Sequence, residues 1–174
     1  GLGAMVEGGW KPWWGHDVVR RTLGIVGCGR IGTAVARRAQ GFEMRVLGFD
    51  PYPSDAAREA GVEFVSLEEL LEQSDFVSLN AAATTKNRGI IGEAELRRMK
   101  ESAYLINTAR GSLLDEAAIV RALSEGWIAG AALDCYVKEP LPTDHPLRSA
   151  PNVLLCPHMA PCAWGNARER NRVV

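Results

Sequence analysis

Short apolar runs alternate with amphipathic stretches along most of the chain. Thr22 to Val26, Arg45 to Phe49, Val62 to Val65, Phe76 to Leu79, Tyr104 to Asn107, Ile128 to Leu133 and Val153 to Leu155 read as strands. Ile31 to Gln40 reads as a helix, because Ile31, Ala34, Val35 and Ala39 recur at helical spacing. Ser54 to Ala60, the stretch from Ser66 to Gln73, Glu93 to Met99 and Asp115 to Ser124 read as further helices. Gly61 and Gly126 fall where helices stop, and Pro51 and Pro53 punctuate a loop. Ser66-Leu67-Glu68-Glu69 has the form of a capping box, in which Ser66 accepts from the third helical amide and Glu69 reaches back. Apolar strands separated by helices predict a parallel sheet covered on both faces. The expected fold is α/β, a doubly wound Rossmann-type sheet of about six or seven strands.

Composition narrows the function more by exclusion than by suggestion. The chain has 174 residues, 47% hydrophobic and 24% charged, enough to bury a core without disulfides or structural metal. A formal net charge of −1 gives no support to nucleic acid or a polybasic membrane surface as partner. No apolar run reaches membrane-spanning length, and Gly1 to Trp10 lack the charged start and apolar stretch of a secretory signal. The four cysteines, Cys28, Cys135, Cys156 and Cys162, form no C-x-x-C pair, which suits reduced thiols in a cytoplasmic protein. Cys156, His158 and Cys162 lie close in sequence but offer only three ligands, in a segment stiffened by Pro157 and Pro161. No metal is expected.

The first chemistry-bearing motif is Gly27-Cys28-Gly29-Arg30-Ile31-Gly32, a G-x-G-x-x-G that follows a strand and opens a helix. Gly27 allows the tight turn, Gly29 lets the backbone approach a pyrophosphate, and Gly32 lets the helix pack closely on the strand. The amides near Arg30 and Ile31 then face the phosphates at the positive end of the helix. Asp50 ends the second strand, where an acid binds the ribose hydroxyls and repels a 2′-phosphate. The nearest following basic residue is Arg58, so NAD is favoured over NADP.

Three more segments complete a pattern: Asn107-Thr108-Ala109-Arg110-Gly111 after a strand, Asp134 with Glu139-Pro140-Leu141-Pro142 after another, and Pro157-His158 after the last. With the glycine loop and Asp50 they resemble the D-isomer-specific 2-hydroxyacid dehydrogenases, the family of phosphoglycerate dehydrogenase, glyoxylate/hydroxypyruvate reductase and D-lactate dehydrogenase. The resemblance runs from about Trp10 to Asn166. The chemistry is coherent with it. Reduction of a 2-keto acid needs a cation for the carboxylate, a proton for the developing alkoxide and a hydride. Arg110 offers a planar fork for the carboxylate. His158 can donate the proton, and Glu139 can accept from the other ring nitrogen, orient the ring and favour its charged form. The resemblance assigns these roles to Arg110, Glu139 and His158. It also implies that Asp134 contacts the nicotinamide side and that Ala81, Thr84, Asn87, Thr108 and Ala109 line the cofactor, with Arg110 and His158 beside it.

The same resemblance implies a division of the chain. Residues 1–16 are expected to be a hinge or linker remnant of a substrate domain, 17–165 the NAD-binding domain, and 166–174 the start of a returning C-terminal helix. Both ends read as cuts, and an isolated chain of this kind is expected to be a poor enzyme without a wall opposite its site. A small 2-keto or 2-hydroxy acid is the expected substrate and a homodimer the expected assembly. The alternative is a non-catalytic NAD(H)-sensing domain of the corepressor type. Two segments depart from the family. Asn80-Ala81-Ala82-Ala83-Thr84 stands where His-x-Pro-Leu-Thr is common, and Met159-Ala160-Pro161-Cys162 stands where small residues usually follow the histidine. The Trp10 to Trp14 cluster suggests interface burial, and neither His16 nor His145 is given a role.

Overall fold

A computed structural model describes residues 8–10, 15, 17–160 and 162. The expectations for Trp13, Trp14 and His16, for Pro161 and for the C-terminal helix over 166–174 lie outside the described residues. Among the described residues, seven strands form one parallel sheet: β1 (Thr22–Val26), β2 (Arg45–Phe49), β3 (Val62–Phe64), β4 (Phe76–Leu79), β5 (Tyr104–Asn107), β6 (Gly130–Leu133) and β7 (Val153–Leu155). Their order is β3-β2-β1-β4-β5-β6-β7, the doubly wound arrangement expected. The helices are α1 (Arg30–Ala39), α2 (Asp55–Glu59), α3 (Leu67–Gln73), α4 (Glu93–Arg98) and α5 (Glu116–Glu125). Three-residue or four-residue 3-10 turns occupy Gln40–Phe42, Gly111–Leu113 and Pro146–Ser149. The sequence places the start of the sixth strand at Ile128, two residues before Gly130, where pairing with β5 begins at Tyr104.

Two separate cores flank the sheet. On one side, small residues let α1 and α2 approach β1 to β3: Ala36, Ala39, Ala57 and Ala60 pack with Leu23, Ile25, Val46 and Val62. On the other side a larger cluster joins Leu70 and Leu71 of α3, Leu96 of α4 and Ile119, Ala122 and Leu123 of α5 to Val77, Leu79, Leu105 and Leu133 of the strands. Burial of these side chains is the main stabilising contribution, about 1.5–3 kcal/mol for each large one. Caps follow local chemistry. Asp115 accepts from the Ala117 and Ala118 amides at 2.9 and 3.1 Å, and Gly126 closes α5 in the left-handed conformation. At α3 only half of the expected capping box forms. Ser66 accepts from Glu69 N–H at 3.1 Å, but the Glu69 carboxylate turns to Gln73 Nε2 at 2.9 Å. The reciprocal bond is found at α4 instead, where Glu95 accepts from Gly92 N–H at 3.0 Å.

Parallel strands bring every β-to-α loop to one edge. Strand order reverses between β1 and β4, so the loops after these two strands part and leave a crevice there. The loops after β5, β6 and β7 gather farther along the same edge. Among the described residues, no helix is long and apolar enough to cross a membrane.

Candidate active site

The glycine loop lies at that reversal. Gly27 has φ 95°, in the left-handed region that glycine tolerates, and a side chain there would overlap the backbone of Ala81. Ala81 is therefore packed under the turn, which brings the loops after β1 and β4 together. A Cβ on Gly32 would overlap the Gly27 carbonyl, so this glycine sets the closeness of helix to turn. Gly29 differs: a Cβ there would meet nothing within 4 Å. It faces open space at the N-terminus of the ten-residue α1, whose first turn carries no acid and whose cap supplies no side-chain bond. Such a terminus offers unpartnered amides and a positive dipole end to a phosphate. Arg30 and Ile31 are exposed beside it.

Asp50 closes the other side of this crevice. Its Oδ2 accepts the Cys28 N–H at 2.8 Å and its Oδ1 the Tyr52 N–H at 2.8 Å. Each oxygen keeps acceptor capacity for a ribose hydroxyl, and the two backbone bonds hold the carboxylate in place. Arg58 leans on the Phe64 ring at 5.0 Å, while Arg37 shares the wall of the crevice with Asp50 and Arg30. This crevice encloses about 440 Å³. The Cys28 thiol beneath it is inert, since burial, with Asp50 adding its charge, pushes its pKa up to about 12. The open face at Gly29, the uncapped helix terminus and the fixed acid suit a dinucleotide with a free 2′-hydroxyl.

The other predicted residues come from three loops. After β5, buried Asn107 accepts the Ala109 N–H on Oδ1 at 3.1 Å and donates from Nδ2 to the Arg110 carbonyl at 3.0 Å. This staple shapes the loop that presents Thr108, Ala109 and Arg110. The exposed Arg110 guanidinium donates to the Ala109 carbonyl at 2.6 Å. After β6, Glu139 accepts the Tyr136 N–H on Oε1 at 2.9 Å. After β7, His158 Nδ1 lies 2.8 Å from Glu139 Oε2. The hydrogen bond from His158, then that from Tyr136, hold the Glu139 carboxyl below the ordinary glutamate value, and the nearby Arg110 charge acts in the same direction. A carboxylate only accepts, so the proton of this contact sits on His158 Nδ1 and leaves Nε2 to face a reactant. A cavity of about 650 Å³ adjoins the pair, walled also by Tyr136, Leu141, Arg148 and Cys156; Arg110 stands outside that wall.

Asp134, which the resemblance sets beside the nicotinamide, is engaged by backbone amides of the His158 loop. It is 5% exposed, and its two oxygens accept the Met159 and Ala160 amides at 2.8 Å each. It thereby anchors the turn in which His158 adopts φ 52°, a left-handed conformation that costs a non-glycine residue about 1–3 kcal/mol. Thr84 and Asn87 also face each other: Asn87 Oδ1 accepts from Thr84 N–H at 2.7 Å and from Thr84 Oγ1 at 3.0 Å. Asn80, the family's usual histidine, folds back to Ser78 Oγ at 3.0 Å.

Sequence reasoning missed Asn107 as a positioning residue, although it opened the quoted motif. It also missed Gly111, where a Cβ would overlap the Tyr136 backbone. That glycine lets the Arg110 loop touch the Glu139 loop. Cys135 Sγ, Glu139 and His158 place possible ligand atoms within 4.8 Å of one another. Burial, then the charges of Asp134 and Glu139, push the Cys135 thiol up, and it donates to the Ala109 carbonyl at 3.5 Å. The group is a carboxylate–imidazole pair with the Cys135 thiol behind it. The sulfur of Cys162 lies 3.9 Å from the His158 carbonyl.

A doubly wound sheet with a glycine turn at a helix N-terminus, an acid at the end of β2 and a carboxylate–imidazole pair at one edge belongs to the class of dinucleotide-binding α/β domains. Residues 3–160 match the family described as "D-isomer specific 2-hydroxyacid dehydrogenase, NAD binding domain", and the chain belongs to it. A glyoxylate reductase of Korarchaeum cryptofilum is 55% identical over 161 residues, covering 88% of this chain and 48% of that protein. One from Thermococcus kodakarensis is 50% identical over 163 residues, 92% of this chain and 48% of that protein. Among solved structures, a glyoxylate reductase from Paecilomyes thermophila superposes with TM-score 0.89 at 41% identity, over 98% of this chain and 52% of that one. A D-lactate dehydrogenase from Aquifex aeolicus, complexed with NAD and lactic acid, gives 0.90 at 30% identity, over 99% and 57%. The chain spans about half the length of the curated relatives it matches.

Proposed function

We propose that this chain is the cofactor-binding and proton-donating part of an NAD-dependent D-2-hydroxyacid dehydrogenase acting on small 2-keto acids of the glyoxylate or hydroxypyruvate class. The observation that carries the reading is the 2.8 Å His158–Glu139 contact on the same sheet edge as the glycine crevice. The names of the relatives, glyoxylate reductase and D-lactate dehydrogenase, support the substrate class. Gly27 to Gly32 and Asp50 would hold NADH, which supplies the hydride to the keto carbon. Arg110 pairs with the substrate carboxylate. His158, charged and held by Glu139, gives a proton from Nε2 to the carbonyl oxygen as negative charge builds there. The product is the 2-hydroxy acid with His158 neutral, and a proton from water recharges it.

In this reading residues 17–165 are the cofactor domain, while 1–16 and 166–174 connect to a substrate-covering domain. Relatives about twice as long support that division. A cytoplasmic setting fits the four free thiols, and a homodimer fits the apolar sheet face at Phe76, Tyr104, Val153 and Leu154. The test pairs calorimetric titration of NADH and NADPH with turnover of glyoxylate, hydroxypyruvate and pyruvate by a form carrying both domains. NADH should bind more tightly than NADPH, and one of the three acids should be reduced. Equal affinities would remove Asp50 from the ribose, and absence of turnover on any 2-keto acid would overturn the reading.

A further inference from the structure

A second carboxylate–imidazole pair, Glu116 with His145, lies behind the loop that carries Glu139. Glu116 opens α5, and its side chain is only 16% exposed. Both of its oxygens are engaged. Oε1 accepts the Val137 N–H at 2.7 Å, and Oε2 lies 3.3 Å from His145 Nε2. His145 in turn accepts the Leu147 N–H on Nδ1 at 3.3 Å, capping the 3-10 turn Pro146–Ser149. A ring nitrogen that accepts carries no proton, so the ring proton is on Nε2 and points at Glu116. One chain of contacts therefore runs from Leu147 N–H through His145 and Glu116 to Val137 N–H.

The peptide gripped at Val137 adjoins the one that fixes the active-site acid, because the Tyr136 N–H is the donor to Glu139 Oε1. Core packing holds this stretch at its start, through buried Tyr136, but Val137, Lys138, Glu139 and Pro140 are all exposed. Gly111 supports the same stretch from the other side, where a Cβ would overlap Tyr136 and Val137 backbone. Resting on the acid–base reading of His158 and Glu139, we propose that Glu116, oriented by His145, is a positioning residue that fixes Val137 and through it the Glu139 carboxylate against His158.

The test uses Glu116→Gln, which keeps the size of the side chain. Its amide NH₂ would face His145 Nε2–H, donor against donor, or else its oxygen would leave Val137 N–H. The first measurement needs no turnover. Titration of Glu139 by NMR in the 174-residue chain should give a value closer to ordinary glutamate in the variant, because the hydrogen bonds that lower it slacken. An unchanged titration overturns the proposal. The second measurement is a cycle in the form that turns over. Glu116→Gln should cut kcat about ten- to hundredfold with NADH affinity unchanged. Combined with Glu139→Gln, it should add little further loss. Full multiplication of the two losses overturns the proposal. Glu139→Gln alone with a wild-type rate would instead remove the acid–base reading, and the titration would still decide the brace. If Glu116→Gln fails to fold, His145→Gln carries the same two measurements and the same outcomes.

Discussion

The two halves of the sheet edge are built on different principles. Around β1 and β2 the site is mostly backbone: Gly27, Gly29 and Gly32, the end of α1 and one acid held by two amides. All of it lies within residues 27–52, with Ala81 of the loop after β4 packed under the turn. Around β5, β6 and β7 the site is made of side chains from loops far apart in sequence. Glu139 and His158 meet, with the Arg110 charge near them, because Asn107, Asp134 and Tyr136 hold those loops in place. Tyr136 illustrates this, since its hydroxyl lies 2.8 Å from the Cys156 carbonyl while its amide serves Glu139. In the proposed function, the phosphate and ribose end of cofactor binding is thus largely local, whereas proton transfer depends on the assembled tertiary structure.

The sharpest way to break this contrast is His158→Asn. Turnover should fall about 10²–10⁴-fold while NADH affinity stays within a small factor, as general acid loss dictates. A parallel loss of NADH affinity, read by calorimetry, would show that the two halves are one unit.

Next in size is a pair of glycine variants. Gly111→Ala drives a Cβ into Tyr136 backbone and should cost about 3 kcal/mol of stability by denaturant melting. Gly29→Ala meets nothing within 4 Å, so its melting should be near wild type, while NADH binding weakens because the methyl occupies the phosphate approach. A destabilised Gly29→Ala with intact NADH affinity would reverse the assignment.

Asp134→Asn sharpens the picture of how His158 is held. One amide, at Met159 or Ala160, would face the NH₂ of a buried side chain instead of a carboxylate oxygen, for about 1–3 kcal/mol. The His158 ring contact with Glu139, followed by NMR, should loosen with it. A variant that weakens NADH and leaves the ring contact unchanged would favour the nicotinamide role that the family resemblance implies.

The smallest effect is at Asp75, at the opposite edge of the sheet where β1 and β4 begin. Burial opposes its charge, but the Thr22 N–H and the Lys100 ammonium, each at 2.9 Å, bring its pKa below the ordinary aspartate value. A lowered carboxyl pKa contributes stability above the unfolded value, and that stability is lost as pH falls through the folded one. Asp75→Asn should therefore cost about 1 kcal/mol near neutrality, with the gap to wild type closing below about pH 4. A gap that is constant with pH would mean the loss is packing and not charge. Glu139 follows the same sign, so its carboxylate should stay ionised, and the His158 contact intact, through the ordinary glutamate range.

What the sequence by itself determined is whatever depends on near neighbours. Periodicity gave the strands to within two residues, because an apolar run flanked by turn residues has few other ways to be satisfied. The glycine crevice and Asp50 were legible because the motif and its ligand-binding geometry are the same short stretch of chain. Arg110, Glu139 and His158 were legible as chemical types at strand ends. Tertiary structure alone decided how they are held. The resemblance singled out Asp134 for the nicotinamide side, but only the fold shows its 25-residue reach to the Met159 amide beside His158. The Ser66 box closed only halfway because Gln73, one turn on, competed for Glu69. Gly111 reads as a turn residue, and only the packed loops reveal that Tyr136 leaves no space for a side chain. Hydrogen bonds across long sequence separations leave no period or spacing in the chain, so they become readable only when the fold has brought their ends together.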